Sequence, residues 1–279
     1  MSGTHPSGVV GFYNTHPINE EEILAKLAAR GLSLDALTQD ELKDFDQDHY
    51  GGTDAVDALA QAAALRAGHH VLDVCSGMGG PARWLAHRIG CRVTGIDFTN
   101  SRVEGAIRLT RRVALEHRVD FRQGDATAMP FANGAFDAAL SQEAWCHIPD
   151  KPALLGECAR VVKPGGVIAF TDIVRLAPLD AGAQQRLRAE MFITPPPSID
   201  AYQQLLGECA CTVEHSVDLS PAWVGILVER LEMYRSLRDT TVGKFGEARF
   251  LEYDRAYSHF VGLFAAHQLG GVRIVARKA

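Results

Sequence analysis

The 279-residue chain lacks the features that mark several classes of protein. It contains no apolar stretch of the roughly 18 residues that a membrane-spanning helix needs. It does not start with a basic run followed by an apolar run, so we expect no signal peptide. It shows no basic stripe, and its net charge is −6, which does not suit a general nucleic-acid binder. These absences favour a soluble, cytoplasmic protein.

Cysteine and histidine are present, but neither has the spacing of a disulfide framework or a metal site. The six cysteines include no C-x-x-C pair, and Cys209-Ala-Cys211 is too tight for a usual zinc knuckle. The histidines are scattered, and no cluster has ligand spacing. We therefore expect reduced thiols and no bound metal. The densest basic stretch, residues 102–112, has helical spacing and is interpreted as a solvated helix face.

Hydrophobic residues make up 47% of the chain, enough for one sizeable core. The first 50 residues are polar and predict a helical cap, with Asn19 as the N-cap of an acidic first turn. From residue 71 onward, short apolar runs alternate with helical stretches. The runs lie at 71–74, 92–96, 119–122, 136–140, 167–170, 212–217 and 272–276. This alternation predicts a doubly wound α/β sheet of parallel strands with crossover helices.

The segment between the last two strand candidates has helical periodicity. Its apolar stripes are Trp223, Ile226, Leu227, Leu231 and Tyr234, followed by Phe250, Tyr253, Tyr257, Phe260, Val261 and Phe264. Most of these side chains are expected to pack in a core. We predict a cap over residues 1–50 and one domain over 51–279, with a helical insertion at about 220–270 that forms part of a substrate lid.

Three acidic residues stand at or near the ends of consecutive strand candidates. Asp73 lies in a strand that ends in a glycine-rich turn, and Pro81 then opens a helix, where its missing N–H costs nothing. Asp97 closes the next strand and can accept both hydroxyls of a ribose, and Asp125 follows the third and can accept from an adenine amino group. Open α/β sheets bind ligands at this edge. The pattern indicates an adenosine-bearing ligand.

The same turn also matches the dinucleotide-binding fingerprint, with Gly77-x-Gly79-x-x-Ala82. An NAD-dependent oxidoreductase is therefore an alternative. Two features count against it. The fingerprint follows a leader of residues 1–70, and Asp73 occupies a strand position that is usually apolar in dinucleotide-binding domains.

Residues 48–175 resemble the class I S-adenosylmethionine-dependent methyltransferases. Asp73 to Gly79 resembles their first motif, with Cys75 where that motif usually has glycine, and Ser141 to Ala144 resembles the fourth. Lys163-Pro-Gly-Gly166 resembles the turn before the fifth strand. The resemblance implies a Rossmann-like, seven-stranded sheet and S-adenosyl-L-methionine as cofactor. The implied cofactor-binding residues are Tyr50, Asp73, Cys75, Ser76, Gly77, Asp97, Phe98, Asp125, Ala126 and Gln142.

Two further segments narrow the resemblance to the sarcosine/dimethylglycine and phosphoethanolamine N-methyltransferases. Residues 141–151 resemble the segment that, in this group, places a histidine over the substrate pocket. Residues 47–52 resemble the N-terminal segment that folds over the cofactor. The resemblance is good over the core and weak over 1–45 and 178–270, where substrate choice would be made.

Methyl transfer needs orientation and a dry cavity more than acid and base groups. A neutral amine or a hydroxyl nucleophile still benefits from a base, and His147 is the candidate. Tyr50 could orient it, and Glu143 could neutralise a cationic substrate. Trp145, Trp223 and Tyr202 are the candidate substrate-binding residues, the two tryptophans through cation–π contacts.

Each of these roles has a structural alternative. His147 could be a hydrogen-bonded crevice histidine, Glu143 a partner for an arginine or a backbone N–H, and the tryptophans packing residues. Arg83 could lie on a helix surface or near the cofactor carboxylate. His49 is interpreted as a structural polar residue.

The sequence thus predicts a methyltransferase that methylates a small amine. Three alternatives stay open. They are an O-methyltransferase acting on a natural-product hydroxyl or carboxyl, the NAD-dependent oxidoreductase, and a non-catalytic binder of the cofactor. A metal-dependent catechol O-methyltransferase is disfavoured, and a homodimer is an expectation without a sequence signal.

Overall fold

The structure is a computed structural model that describes residues 5–14 and 18–279, and its strands form one seven-stranded sheet. The strands are β1 (His70–Val74), β2 (Arg92–Asp97), β3 (Val119–Gln123), β4 (Phe136–Gln142), β5 (Val162–Arg175), β6 (Cys211–Asp218) and β7 (Leu269–Lys278). Their order is β3-β2-β1-β4-β5-β7-β6. Strands β1 to β5 pair in parallel, and β7 runs antiparallel to both of its neighbours. The predicted α/β sheet is confirmed, and all seven strand candidates lie within observed strands.

The helices cover both faces of the sheet and its carboxyl edge. They are α1 (His5–Asn14), α2 (Glu20–Ala29), α3 (Gln39–Leu42), α4 (Gly52–Ala62), α5 (Gly80–Ile89), α6 (Asn100–Arg112), α7 (Lys151–Val161), α8 (Ala181–Glu190), α9 (Ile199–Glu208), α10 (Ser220–Ser236), α11 (Arg238–Phe245) and α12 (Glu247–Ala265). A 3₁₀ turn, Trp145–His147, follows β4. None of the helices in the described ranges is long and apolar enough to cross a membrane.

Alternation along the strands assigns their side chains to two cores. Val71 faces the core formed with α4, α5 and α6, whereas its neighbour Leu72 faces the core formed with α7 and α9. Ala169 and Phe170 divide in the same way in β5. A period of two with apolar residues on both faces is what a sheet covered on both sides requires.

The N-terminal segment begins as the sequence predicts and packs against the sheet domain. Asn19 caps α2, because its side chain accepts from the N–H of Glu22 at 3.0 Å. Ile23 and Leu27 of this helix share a small core with Met78 in the turn after β1. The cap is therefore continuous with the turn that the sequence assigns to the cofactor. The domain boundary at residue 50 stays a prediction.

The two apolar stripes near the C-terminus lie on α10 and α12, which pack together. They share a third core with α8, to which Trp223, Leu227, Phe260 and Phe264 contribute. Packing is thus the role of most stripe residues, as the sequence indicates.

Two sequence interpretations need correction. Arg102 is not on a solvated helix face, because it is only 2% exposed and its guanidinium binds Asp48 at 2.8 Å and the carbonyl of Ile18. The turn at residues 163–166 lies inside β5 rather than before it. It forms a bulge between Val162, which pairs with Phe136, and Val167, which pairs with Ala138.

Candidate active site

The acidic side chains of the site stand at the carboxyl ends of three neighbouring strands. Asp73 lies in β1, Asp97 ends β2, and Asp125 follows β3. These strands are adjacent and parallel, so their carboxyl ends open at one edge of the sheet. Asp73 and Asp97 are close enough for the charge of Asp97 to raise the pKa of Asp73. Asp125 stays exposed at the outer end of the row.

Asp73 is the most perturbed acid of this row. Its side chain is buried, and burial, with a further contribution from Asp97, raises its pKa to about 7. Its Oδ2 atom and the nearby Ser76 Oγ are buried without a hydrogen-bond partner among the described residues. A buried polar atom without a partner costs about 1–3 kcal/mol, so a polar ligand at this point would stabilise the site.

Asp97 joins the turns that follow β1 and β2. Its Oδ2 accepts from the N–H of Gly77 and its Oδ1 from the N–H of Thr99, both at 2.8 Å. Burial raises the pKa of Asp97, and these two hydrogen bonds oppose that effect. A carboxylate has about four acceptor positions, so each oxygen can accept another hydrogen bond from a ligand hydroxyl.

The turn after β1 is built from residues with left-handed backbone conformations. The φ angle is +64° at Cys75, +52° at Gly77 and +77° at Gly79. A Cβ on Gly79 would lie 2.4 Å from the ring of Phe121, so this position needs glycine for space as well as for φ. Cys75 holds the same kind of conformation with a side chain. The turn brings backbone close to the crevice at the N-terminus of α5, a feature of sites for anions and nucleotides.

The adenine side of the predicted site is open. Phe98 is 46% exposed and stands directly after Asp97. Asp125 accepts from the N–H and hydroxyl of Thr127 through one oxygen, Oδ1, at 2.8 and 2.7 Å. Ala126 beside it is buried. An exposed aromatic ring beside carboxylates suits a flat, polar-edged base.

Residues 47–50 cross this edge and bind the end of β4. The side chain of Gln142 contacts His49 Nδ1 at 3.1 Å, and His49 Nε2 lies 2.8 Å from Gln47 Oε1. Burial lowers the pKa of His49 to about 4, which keeps the ring neutral. These contacts give His49 the structural role that the sequence suggests.

Glu143 also binds this segment. One oxygen accepts from the N–H of Tyr50 at 2.5 Å, and the other accepts from the hydroxyl of Thr171 in β5. Burial raises the pKa of Glu143 to about 8. The contact with a backbone N–H is the structural alternative that the sequence left open for this residue.

His147 lies at the end of the 3₁₀ turn with both ring nitrogens in contact. Nδ1 is 3.0 Å from the carbonyl oxygen of Phe192, and Nε2 is 3.0 Å from the hydroxyl of Tyr13 on α1. The two rings meet edge to face, with centroids 5.6 Å apart. The guanidinium of Arg102 lies 4.8 Å from the centre of the Tyr13 ring. Helix α1 thus covers the imidazole.

The three candidate substrate-binding residues lie in packed surroundings. Trp145 is completely buried, with its ring 4.3 Å from that of Phe170. Tyr202 is also completely buried and donates to Asp172 at 2.5 Å. Trp223 is 4% exposed and meets the Tyr50 ring edge to face at 4.9 Å. Trp223 thus contacts another predicted site residue, Tyr50.

Arg83 is neither on a helix surface nor open to the crevice. It is completely buried, and one terminal nitrogen donates to Asp46 at 2.9 Å and to the carbonyl of Met78 at 2.7 Å. The other donates to Ala106 and Thr110 of α6. Arg83 therefore binds the N-terminal segment to the turn after β1.

Tyr13 is the site residue that sequence reasoning missed. It lies 134 positions from His147, so no local pattern links the two. The one available signal is the helical spacing of Val9, Val10 and Tyr13, which marks one face of a short helix. In the described part of the chain, no group of three His, Cys, Asp or Glu side chains is arranged to hold a metal ion.

Comparison with known proteins agrees with this geometry. A family model described as "Methyltransferase domain" matches residues 72–170. Methyltransferase GfsG of Streptomyces halstedii is 38% identical over 192 residues, which cover 63% of this chain and 69% of the relative. The 27-O-demethylrifamycin SV methyltransferase of Amycolatopsis mediterranei is 30% identical over 233 residues, covering 81% and 83%.

Among solved structures, phosphoethanolamine N-methyltransferase 2 of Haemonchus contortus in complex with S-adenosyl-L-methionine has a similar fold. The TM-score is 0.76 at 18% identity, over 96% of this chain and 59% of that one. Fold, site and relatives together define an α/β transferase. The chain belongs to the S-adenosylmethionine-dependent methyltransferases, and the NAD-dependent alternative is set aside.

The residues present fit this cofactor. Asp97 can take a ribose, and the open side at Phe98 and Asp125 can take a base. The buried oxygens of Asp73 and Ser76, which have no partner among the described residues, provide polar contacts for the rest of the molecule. S-adenosylmethionine is the methyl donor, and the individual residue contacts stay predictions.

Proposed function

We propose that this methyltransferase methylates a hydroxyl of a small-molecule natural product, with His147 as general base. The observation that carries the proposal is the pair of contacts at the His147 ring. The carbonyl of Phe192 can only accept, so Nδ1 carries the ring proton. Nε2 is then the basic nitrogen, and it points at the hydroxyl of Tyr13.

The protein supplies the base and the orientation for this reaction. When bound, S-adenosylmethionine supplies a methyl group that its sulfonium makes electrophilic. An acceptor hydroxyl that replaces the Tyr13 hydroxyl as the partner of Nε2 of His147 would give up its proton to that nitrogen during methyl transfer. Burial keeps the pKa of Tyr13 well above its usual value, so its hydroxyl stays protonated and can donate. Its role is to orient the acceptor oxygen next to the imidazole.

Two carboxyl groups of the candidate site, those of Glu143 and Asp48, are already engaged by protein groups, which favours a neutral acceptor over an ammonium. Glu143, with a pKa of about 8, is largely protonated at neutral pH, and both of its oxygens hold protein groups. Asp48 pairs with Arg102. A cationic amine would find these two charges neutralised or paired.

The candidate aromatic contacts support the same choice. Trp145 is enclosed in the core, so its faces are packed by protein. The Tyr50 ring has the guanidinium of Arg230 at 4.8 Å from its centre. A methylated ammonium would have to compete with that arginine for the ring face.

A relative of which this chain covers 83% supports oxygen as the acceptor. Its name refers to 27-O-demethylrifamycin SV, a compound that lacks a methyl group on oxygen. We extend the acceptor class, a natural-product hydroxyl, from that name to this chain and leave the compound open.

Methylation of a small amine, which the sequence predicts, is the second candidate. Residues 147–151, which resemble those of small-amine N-methyltransferases, and the fold shared with a phosphoethanolamine N-methyltransferase favour it. A cytoplasmic location and a homodimer also remain predictions.

The test is an acceptor screen with S-adenosylmethionine, read as release of S-adenosylhomocysteine and as product mass. The acceptors are 27-O-demethylrifamycin SV, a set of hydroxylated macrolactones, sarcosine, dimethylglycine and phosphoethanolamine. We expect turnover on a hydroxyl acceptor and a kcat about 100-fold lower in His147→Asn, the usual scale for loss of a general base. His215→Asn, an exposed histidine on the edge strand β6, is the matched control.

Turnover of sarcosine, dimethylglycine or phosphoethanolamine with none on the hydroxyl acceptors would contradict the proposed acceptor. Full activity of His147→Asn would contradict the base role whatever the acceptor is. Cofactor binding without turnover on any acceptor would support the non-catalytic alternative.

A further inference from the structure

We propose that Lys151 and Thr194 are positioning residues for His147, and that together they fix the Nδ1–H tautomer of its ring. The inference rests on the proposed function, in which Nε2 of the same ring is the base. Both residues act through backbone groups. Lys151 holds the turn that carries the imidazole, and Thr194 holds the segment whose carbonyl accepts from Nδ1.

Lys151 hydrogen-bonds to carbonyls at both ends of the 3₁₀ turn. Its side chain is only 6% exposed, and Nζ donates to the carbonyls of Trp145 at 2.8 Å and Ile148 at 2.5 Å. These carbonyls flank His147 on either side. Burial lowers the pKa of Lys151, and the charge of Asp172 opposes that effect. A buried ammonium is costly, so its placement on two turn carbonyls indicates that the turn depends on it.

Asp172 anchors the middle of the same turn to the sheet. It is completely buried in β5, and its Oδ1 accepts from the N–H of Cys146 at 3.1 Å. Its Oδ2 accepts from Tyr202. Three successive parts of the turn are therefore held by side chains that the sheet and helices keep rigid.

Thr194 hydrogen-bonds to this turn and so holds the segment that carries the acceptor carbonyl of Phe192. Its N–H and its hydroxyl both donate to the carbonyl of Cys146, each at 2.9 Å. The carbonyl that accepts from His147 Nδ1 belongs to Phe192, two residues earlier. Cys146 is also the residue directly before His147. The donor, His147, and the segment that carries the acceptor, the Phe192 carbonyl, are therefore both held at Cys146.

The conformation of Phe192 shows that this segment needs support. Its φ is +56°, a left-handed value that a side chain makes unfavourable. A Cβ on Gly8 of α1 would lie 2.5 Å from its ring, so the ring is also held from above. Such a conformation persists where the surroundings determine it, and Thr194 is part of them.

The position of the Phe192 carbonyl sets the tautomer. With this acceptor in place, the ring proton stays on Nδ1 and leaves Nε2 basic. If the carbonyl moves away, the Nε2–H tautomer gains weight, and in that form the nitrogen facing Tyr13 cannot take a proton. The net strength of one hydrogen bond corresponds to about a fivefold change in the tautomer ratio.

The test reads the tautomer directly by NMR of ¹⁵N-histidine-labelled protein saturated with S-adenosylhomocysteine. Long-range ¹⁵N–¹H spectra distinguish Nδ1–H from Nε2–H, and the His147 signals are those missing in His147→Asn. We expect Nδ1–H in the unmodified protein. Thr194→Val and Lys151→Met should each shift the ratio toward Nε2–H by about fivefold. Thr194→Ser keeps the hydroxyl and should restore the unmodified spectrum.

An unchanged tautomer in both Thr194→Val and Lys151→Met would overturn the inference. If one variant does not fold, as a melting curve would show, the other decides. The base role fails by a different result, which is full turnover of His147→Asn. That result would leave the tautomer measurement intact, so the two failures are distinguishable.

Discussion

A single residue, Cys75, stores backbone strain in the cofactor turn. Its φ of +64° lies in the left-handed region, where the family usually has glycine and where a side chain costs about 1–2 kcal/mol. Comparing Cys75→Gly with Cys75→Ala separates this cost from the thiol, because both variants lack sulfur. We expect the glycine variant to be about 1 kcal/mol more stable in urea unfolding. Equal stabilities, or a more stable alanine variant, would contradict the strain.

The burial of two arginines is a feature that the sequence pattern does not predict. Helical spacing predicts charge on the solvent side for Arg102 and, as one of two alternatives, for Arg83. Both are buried because Asp46 and Asp48, from a segment far away in the chain, meet them across the cap. Burial of a charge depends on its partner, and a spacing rule carries no information about partners.

Among the elements, the N-terminal segment and the turn after β1 form one structural unit. The buried Arg83 guanidinium joins Asp46, the carbonyl of Met78 and helix α6. Burial raises the pKa of Asp46, and the charge of Arg83 opposes that rise. Removing the arginine leaves a buried acid without its counter-charge and a turn carbonyl without its donor.

Arg83→Met is therefore expected to lower the free energy of unfolding by about 3 kcal/mol, the scale for breaking a buried ion pair. Urea unfolding measures it. Arg88→Met, on the exposed side of the same helix α5, should change stability by less than about 0.5 kcal/mol. A loss in Arg83→Met no larger than in the control would refute the role of the pair.

Most strands were predictable because β1, β2, β4, β5 and β7 contain short apolar runs that are largely buried, and apolar runs are local. The glycine turn and the three acids were predictable for the same reason, since each adjoins its own strand. The covering of His147 by α1 was not. Its contact with Tyr13 spans 134 positions, and its geometry depends on how the cap packs. The complete burial of Trp145 and Tyr202 was not predictable either, because the position of an aromatic residue in the sequence does not reveal which way its ring faces. Their substrate-binding role stays a prediction.

In the molecule as a whole, folding buries several acidic side chains in the sheet and beneath the N-terminal cap. Burial raises the pKa of five of them: Asp46, Asp73, Asp97, Glu143 and Asp172. An acid whose pKa is higher in the folded state binds more protons there than in the unfolded chain. The stability of the fold must then fall as the pH rises from the unfolded pKa to the folded one.

The contribution of Asp73 to this pH dependence can be measured alone. Its pKa rises from an ordinary value of 3.8 to about 7. At 1.36 kcal/mol per pH unit, its ionisation costs the ligand-free fold about 4 kcal/mol above pH 7 and nothing below pH 4. Asp73→Asn cannot ionise, so its melting temperature relative to the unmodified protein should rise by several degrees between pH 5 and pH 8. Melting curves in cofactor-free buffer at these two pH values measure the difference. If the difference in melting temperature between the two proteins is the same at both pH values, Asp73 titrates normally and the raised pKa is wrong.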